Sequence, residues 1–154
     1  MKKKNLFICL IFLAYNNSFT QVSMNMNLLD NWDQSGLSYN DVWGYVDGNG
    51  NEYAILGSKS KIHFFEITTN NTLSLIDEFI PGATSTWRDF KTYDEYLYVS
   101  SDNCGEGLLI FDLSNLPTSF SLISNSTADF TNAHNLYIEE NTSKLYVVGT
   151  NSAA

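Results

Sequence analysis

Apolar residues in this chain fall in short alternating runs, and no stretch keeps a helical spacing. Five runs stand out: EYAILGS (52–58), KIHFFEIT (61–68), EYLYVSS (95–101), GLLIFDLS (107–114) and KLYVVGT (144–150). Each is rich in aromatic and β-branched residues, the composition of a strand with one face buried. The intervening DGNGN (47–51), TTNNT (68–72), SDNCGEG (101–107) and EENTS (139–143) supply the Gly, Asn and Asp that tight turns use. His63 alternates with apolar neighbours in its run and is expected at the surface of a strand. The pattern predicts an all-β protein, and the 14% aromatic content supplies large side chains for its core.

The runs also repeat. Phe65-Glu66-Ile67-Thr68 returns as Phe111-Asp112-Leu113-Ser114, 46 residues later. Ahead of these, Tyr53 to Gly57 matches Tyr96 to Ser100 and again Leu145 to Gly149. One step earlier stand Asp41-Val42-Trp43-Gly44, Trp87-Arg88-Asp89-Phe90 and Ala133-His134-Asn135-Leu136. A period of roughly 45 residues with about four strands is that of a β-propeller blade. A β-sandwich also has short strands, but not matching strands at fixed spacing. The expectation is a partial β-propeller of about two and a half four-stranded antiparallel blades, near residues 38–82, 83–127 and 128–154. Propellers close with four to eight blades, so the reading also expects an N-terminal fragment of a longer protein.

The first residues, MKKKNLFICLIFLAYNNSFTQ, alter the picture. Three lysines, an apolar run of about ten residues and a polar exit give the layout of a secretory signal peptide over residues 1–20. The run is too short to span a bilayer, so no transmembrane span is expected in this chain. Export to the extracellular space or a bacterial cell surface follows. Without the leader, 5 Lys and Arg face 17 Asp and Glu, a formal net charge of −12. Such a surface repels phosphates, which argues against nucleic acid and anionic lipid as partners. Cys9 falls in the leader and lacks the small preceding residue of a lipid-attachment site. Cys104 is then alone in the remainder, either a free thiol or half of a disulfide.

The stretches NDVWGYVDGNGNEYAILGS, PGATSTWRDFKTYDEYLYVSSDNCGEGLLIFDLSNL and TNAHNLYIEENTSKLYVVGT resemble the opening repeats of the choice-of-anchor B family. The ordered set D-W-G-Y, T-W-R-D, G-L-x-x-F-D-L and A-H-N carries the resemblance, from about Ser38 to Gly149. The family's LVIVD element is present in degenerate form at Leu108 to Asp112. The resemblance implies exported bacterial proteins built of LVIVD-type repeats that form β-propellers and reach the cell surface by C-terminal anchors. It carries no defined activity.

Candidate chemistry concentrates where the inner strand of each repeat begins. Asp41, Trp43, Trp87, Arg88, Asp89, His134 and Asn135 would ring the mouth of a propeller channel, a tentative site for a small polar ligand. Arg88, the one arginine, and Asp89 are read first as a clasp between neighbouring blades and second as ligand contacts. Trp43 and Trp87 are read as packing residues between blades. Asp47, Asn49 and Asn51 have the alternation of a calcium loop, but Glu52 and Ser58 stand where an EF-hand needs Gly and Glu, so a hairpin turn is the better reading. No zinc spacing and no Gly-x-Ser-x-Gly elbow occur, and no cofactor is expected. The function expected is a non-catalytic interaction module for an extracellular protein or glycan. The alternative is an extracellular hydrolase or lyase that uses the channel.

Overall fold

The structure is a computed structural model that describes residues 26–151. The leader expected over residues 1–20 lies outside the described residues. These form ten strands and, among themselves, no helix. Strands β1 (Tyr39–Val46), β2 (Glu52–Ser58), β3 (Ile62–Ile67) and β4 (Leu73–Phe79) make one four-stranded sheet. A second sheet repeats the plan with β5 (Arg88–Tyr93), β6 (Tyr96–Ser101), β7 (Leu108–Asp112) and β8 (Ser121–Ser126). A hairpin of β9 (Asn135–Glu139) and β10 (Lys144–Val148) follows. Every pairing is antiparallel between consecutive strands, as the short Gly/Asn/Asp connections require.

The two sheets share details beyond strand count. Ala54 pairs with Phe65 as Leu97 pairs with Phe111. The outer pairing slips at the same place in each, between Phe64 and Phe65 and between Ile110 and Phe111. In the strands that open the first two units the ladder aligns Val42 with Phe90, so Asp41 and Asp89 precede equivalent residues. Like hydrogen bonds to the Phe90 and Leu136 N–H groups put Asn135 and Leu136 third in the series. The sequence alignment set Asp41 against Trp87, two residues off. A bulge in β1 between Tyr39 and Val42 also adds one residue just ahead of this position. In the third unit Tyr146, not Val147, is the counterpart of Tyr98, since Tyr98 faces Lys91 and Tyr146 faces Tyr137.

Alternation along the strands gives each sheet two faces. The front of the first sheet carries Trp43, Tyr53, Ile55, Ile62 and Phe64. It packs on the back of the second, which carries Phe90, Leu97, Val99, Leu109 and Phe111; most of these side chains are inaccessible to solvent. Phe64 meets Phe111 at 5.9 Å between ring centroids and stacks on Phe120 at 3.8 Å. The front of the second sheet is covered by the hairpin, where Leu136 is buried, half-buried Ile138 and Leu145 approach Tyr93 and Tyr98, and Tyr93 Oη and Ser143 Oγ are 2.6 Å apart. Front packs on back twice in succession.

His63 departs from expectation: its side chain is completely buried. Both faces of β3 are covered, the front by the second sheet and the back by Trp32 from the segment before β1. The Trp32 ring lies 5.0 Å from His63 and 4.9 Å from Phe65. Asp30 fastens that segment by accepting the Leu73 N–H at 2.8 Å.

Candidate functional site

Strands β1, β5 and β9 lie side by side, and their first residues carry most of the candidate chemistry. The carboxylate of Asp41 crosses to the second sheet and accepts the Phe90 N–H at 3.0 Å. One unit on, the carboxylate of Asp89 accepts the Leu136 N–H at 2.5 Å. The same bond is thus made twice at the same repeat position, each time by a carboxylate that hands on to the next opening strand. A charged acceptor on a backbone donor is among the stronger hydrogen bonds, and it satisfies an N–H that no neighbouring strand takes. The other Asp89 oxygen pairs with Lys91 Nζ at 2.8 Å.

Arg88 points elsewhere. Its guanidinium is fully buried and donates to Ser101 Oγ at 2.6 Å, Glu106 Oε2 at 2.9 Å and the Ala83 carbonyl at 3.1 Å. Glu106 also accepts the Ala83 N–H and the Cys104 thiol. Arg88 therefore locks the β6–β7 loop and the β4–β5 connection onto the start of its own strand. It makes no bond to the first sheet or to the hairpin, so the clasp between neighbouring units belongs to Asp41 and Asp89 instead. Burial raises the pKa of Cys104, which is a free thiol in this structure.

The remaining ring residues separate. Trp87, expected to pack, is 54% exposed, because its strand begins one residue later and Ser85 Oγ holds only its backbone. His134 is exposed, with Nδ1 at 3.1 Å from Asp102 Oδ2, and Asp102 N–H bonds the Trp87 carbonyl. Asn135 is exposed, and its side chain has no hydrogen-bond partner among the described residues.

Trp43 is half-buried against the core. Its indole Nε1 donates to Thr92 Oγ1 at 2.9 Å, and Lys91 Nζ sits 4.4 Å from the ring centroid, close enough for a cation–π contact. Together with Thr92 and the segment from Tyr137 to Asn141 they line a cleft of about 380 Å³ that spans all three opening strands. The size suits a small ligand, and an aromatic wall beside a few polar groups is the usual composition of such sites. Glu140 stands exposed on its rim and also borders a smaller cleft with Tyr45 and Asp94. Lys91 was missed in the sequence, although it occupies the repeat position of Trp43. Glu106 and Asp102 were read only as turn residues.

Asp47, Asn49 and Asn51 form a hydrogen-bonded turn. Asp47 accepts the Asn49 and Asn51 N–H groups at 2.8 and 2.9 Å, the Asn51 amide at 2.8 Å and the Tyr53 hydroxyl at 3.2 Å. These bonds, that of Asn51 foremost, lower the Asp47 pKa, and burial pushes Tyr53 up to about 12. With the carboxylate turned inward on its own loop, the geometry is that of a capped hairpin. Among the described residues no three His, Cys, Asp or Glu side chains converge as metal ligands, and no helix is long and apolar enough to cross a membrane.

Compared with known protein families, curated proteins and solved structures, the chain matches none.

Proposed function

We propose that this chain is an exported repeat protein of β-propeller type, similar to the choice-of-anchor B proteins, that binds a polar extracellular ligand without transforming it. The observation that carries this reading is the cleft across β1, β5 and β9, which sets the Trp43 ring beside the Lys91 ammonium and the polar segment Glu139 to Asn141. The exposed Tyr137 ring in the same cleft can receive C–H groups next to donors and acceptors for hydroxyls, which suits a glycan. The propeller reading is supported by two like-patterned sheets and a hairpin joined in series through their opening strands. Arg88, Asp41 and Asp89 are held by internal partners, which favours positioning over catalysis at those residues.

The test is fluorescence titration with a panel of neutral and N-acetylated oligosaccharides. Saturable binding is expected, weakened about tenfold or more, roughly 1.4 kcal/mol, in Lys91→Met and Trp43→Phe. Absence of binding across the panel, or unchanged affinity in both variants, would sink the reading. One observation favours an enzyme of the hydrolase or lyase kind: Asp102 orients His134 Nδ1 and leaves Nε2 toward solvent, the disposition of a general base. Turnover of a panel member by the wild type and its loss in His134→Gln would establish that alternative.

A further inference from the structure

The cleft beside Trp43 and Lys91 continues past its own wall. Thr92 and Glu140 line it and also line the smaller cleft of about 230 Å³ that Tyr45 and Asp94 border, so the two form one groove with Glu140 on the rim of both halves. Lys91 is the one cationic side chain along either half. Its Nζ already meets Asp89 Oδ1 at 2.8 Å, the Phe90 carbonyl at 2.9 Å and the Trp43 ring at 4.4 Å from the centroid. Those contacts account for the three protons of an ammonium. Lys91 therefore holds the wall in place and has no charge left over for an anionic ligand.

The carboxylates of the groove divide in the same way. Glu139 is spent on its own turn, where it accepts the Asn141 amide at 2.9 Å, the Thr142 N–H at 2.8 Å and the Thr142 hydroxyl. Glu140 and Asp94 are exposed and have no ion-pair partner among the described residues. Thr92 Oγ1 accepts the Trp43 indole N–H at 2.9 Å and keeps its own proton for a ligand hydroxyl. We propose, resting on the glycan reading of this cleft, that Glu140 sets its specificity by pairing with an ammonium of the ligand. The glycans taken here then carry free amines, as amino sugars do, and those carrying carboxylates are rejected. An ammonium at Glu140 makes a charge-assisted hydrogen bond, and Asp94 on the same groove adds to the attraction. A uronate there meets like charge with no free cation to offset it. The excess of Asp and Glu over Lys and Arg in the chain favours the approach of a cationic ligand in the same direction.

Fluorescence titration with oligomers of equal length built from glucosamine, N-acetylglucosamine and glucuronic acid tests this, at a pH where the amines are protonated and the carboxylates ionised. The glucosamine oligomer is expected to bind about fivefold tighter than the N-acetylated one, the upper range of an exposed ion pair. The glucuronic acid oligomer should not bind, and added salt should narrow the gap between the other two. Glu140→Gln changes an exposed residue, so it should keep a cooperative melt, and it should bring those two affinities together. Equal affinities in the wild type, a preference that survives in Glu140→Gln, or tight binding of the glucuronic acid oligomer would each overturn the proposal and leave the glycan cleft standing. A lysine oligomer that displaces the glucosamine oligomer at lower concentration would assign the groove to a peptide and overturn it too. Binding of none of the three sugars would overturn both this specificity and the glycan reading beneath it.

Discussion

At the residue scale, the molecule places its charged groups according to what can repay their burial. Arg88 and Glu106 form a nearly inaccessible pair, and such a pair is costly chiefly when broken. Glu106→Gln, which strands the guanidinium, is expected to lower unfolding stability by about 3 kcal/mol or more in urea melts. Arg88→Met with Glu106→Leu should recover most of that loss; a double variant as unstable as the single would contradict this account of the pair. His63 gives a pH dependence. Its two ring nitrogens meet Glu78 Oε1 at 2.8 Å and Ser58 Oγ at 3.1 Å, and burial, partly opposed by Glu78, lowers its pKa. The unfolded chain takes up this proton near pH 6.5, so stability is full above that value and is lost as pH falls toward the depressed folded value. Glu78, lowered first by its bond to Lys61, loses its own contribution at still more acid pH. Urea midpoints should therefore fall below about pH 6.5, and His63→Leu should flatten that part of the curve.

At the scale of elements, close backbone approach decides which glycines matter. A methyl at Gly107, where φ is +70°, would lie 2.1 Å from the Ser126 carbonyl oxygen, and one at Gly57 would lie 2.9 Å from the Phe90 ring. Gly82 meets nothing within 4 Å. Thermal melts should show Gly107→Ala and Gly57→Ala destabilised by about 2 kcal/mol or more, with Gly82→Ala close to wild type. Four of the five apolar runs were legible because each buries at least one face in the core, and KLYVVGT because it keeps the alternation, with Leu145 and Val147 half-buried. Strands β4 and β8 were not, because LSLIDEF and SLISNS are half-solvated outer strands whose polar residues break the alternation. The repeat was legible in its period but not in its register, because the WRDF and DVWG stretches align on their tryptophans only two residues away from the pairing that the strands adopt. His63 reads as a surface residue in its own strand; only the return of Trp32, from a segment with no strand pattern, buries it. Asp41 and Asp89 stood among the candidate residues by their place in the repeat, while their bonds to Phe90 and Leu136 depend on a packing of sheets that local pattern does not encode.

At the scale of the whole molecule, the units are joined in series, front face to back face, with a carboxylate from each of the first two opening strands taking an amide of the next. This arrangement places Trp43, Lys91 and the β9 segment around one cleft, so the proposed binding site depends on the joints as much as on its lining. Hydrogen exchange of the Phe90 and Leu136 amides, compared between the wild type, Asp41→Ala and Asp89→Ala, tests the joints directly. Both amides should be strongly protected in the wild type. Asp41→Ala should release Phe90 while Leu136 stays slow, and Asp89→Ala should do the reverse. Protection that survives both substitutions, or that is lost equally everywhere in each, would contradict the account.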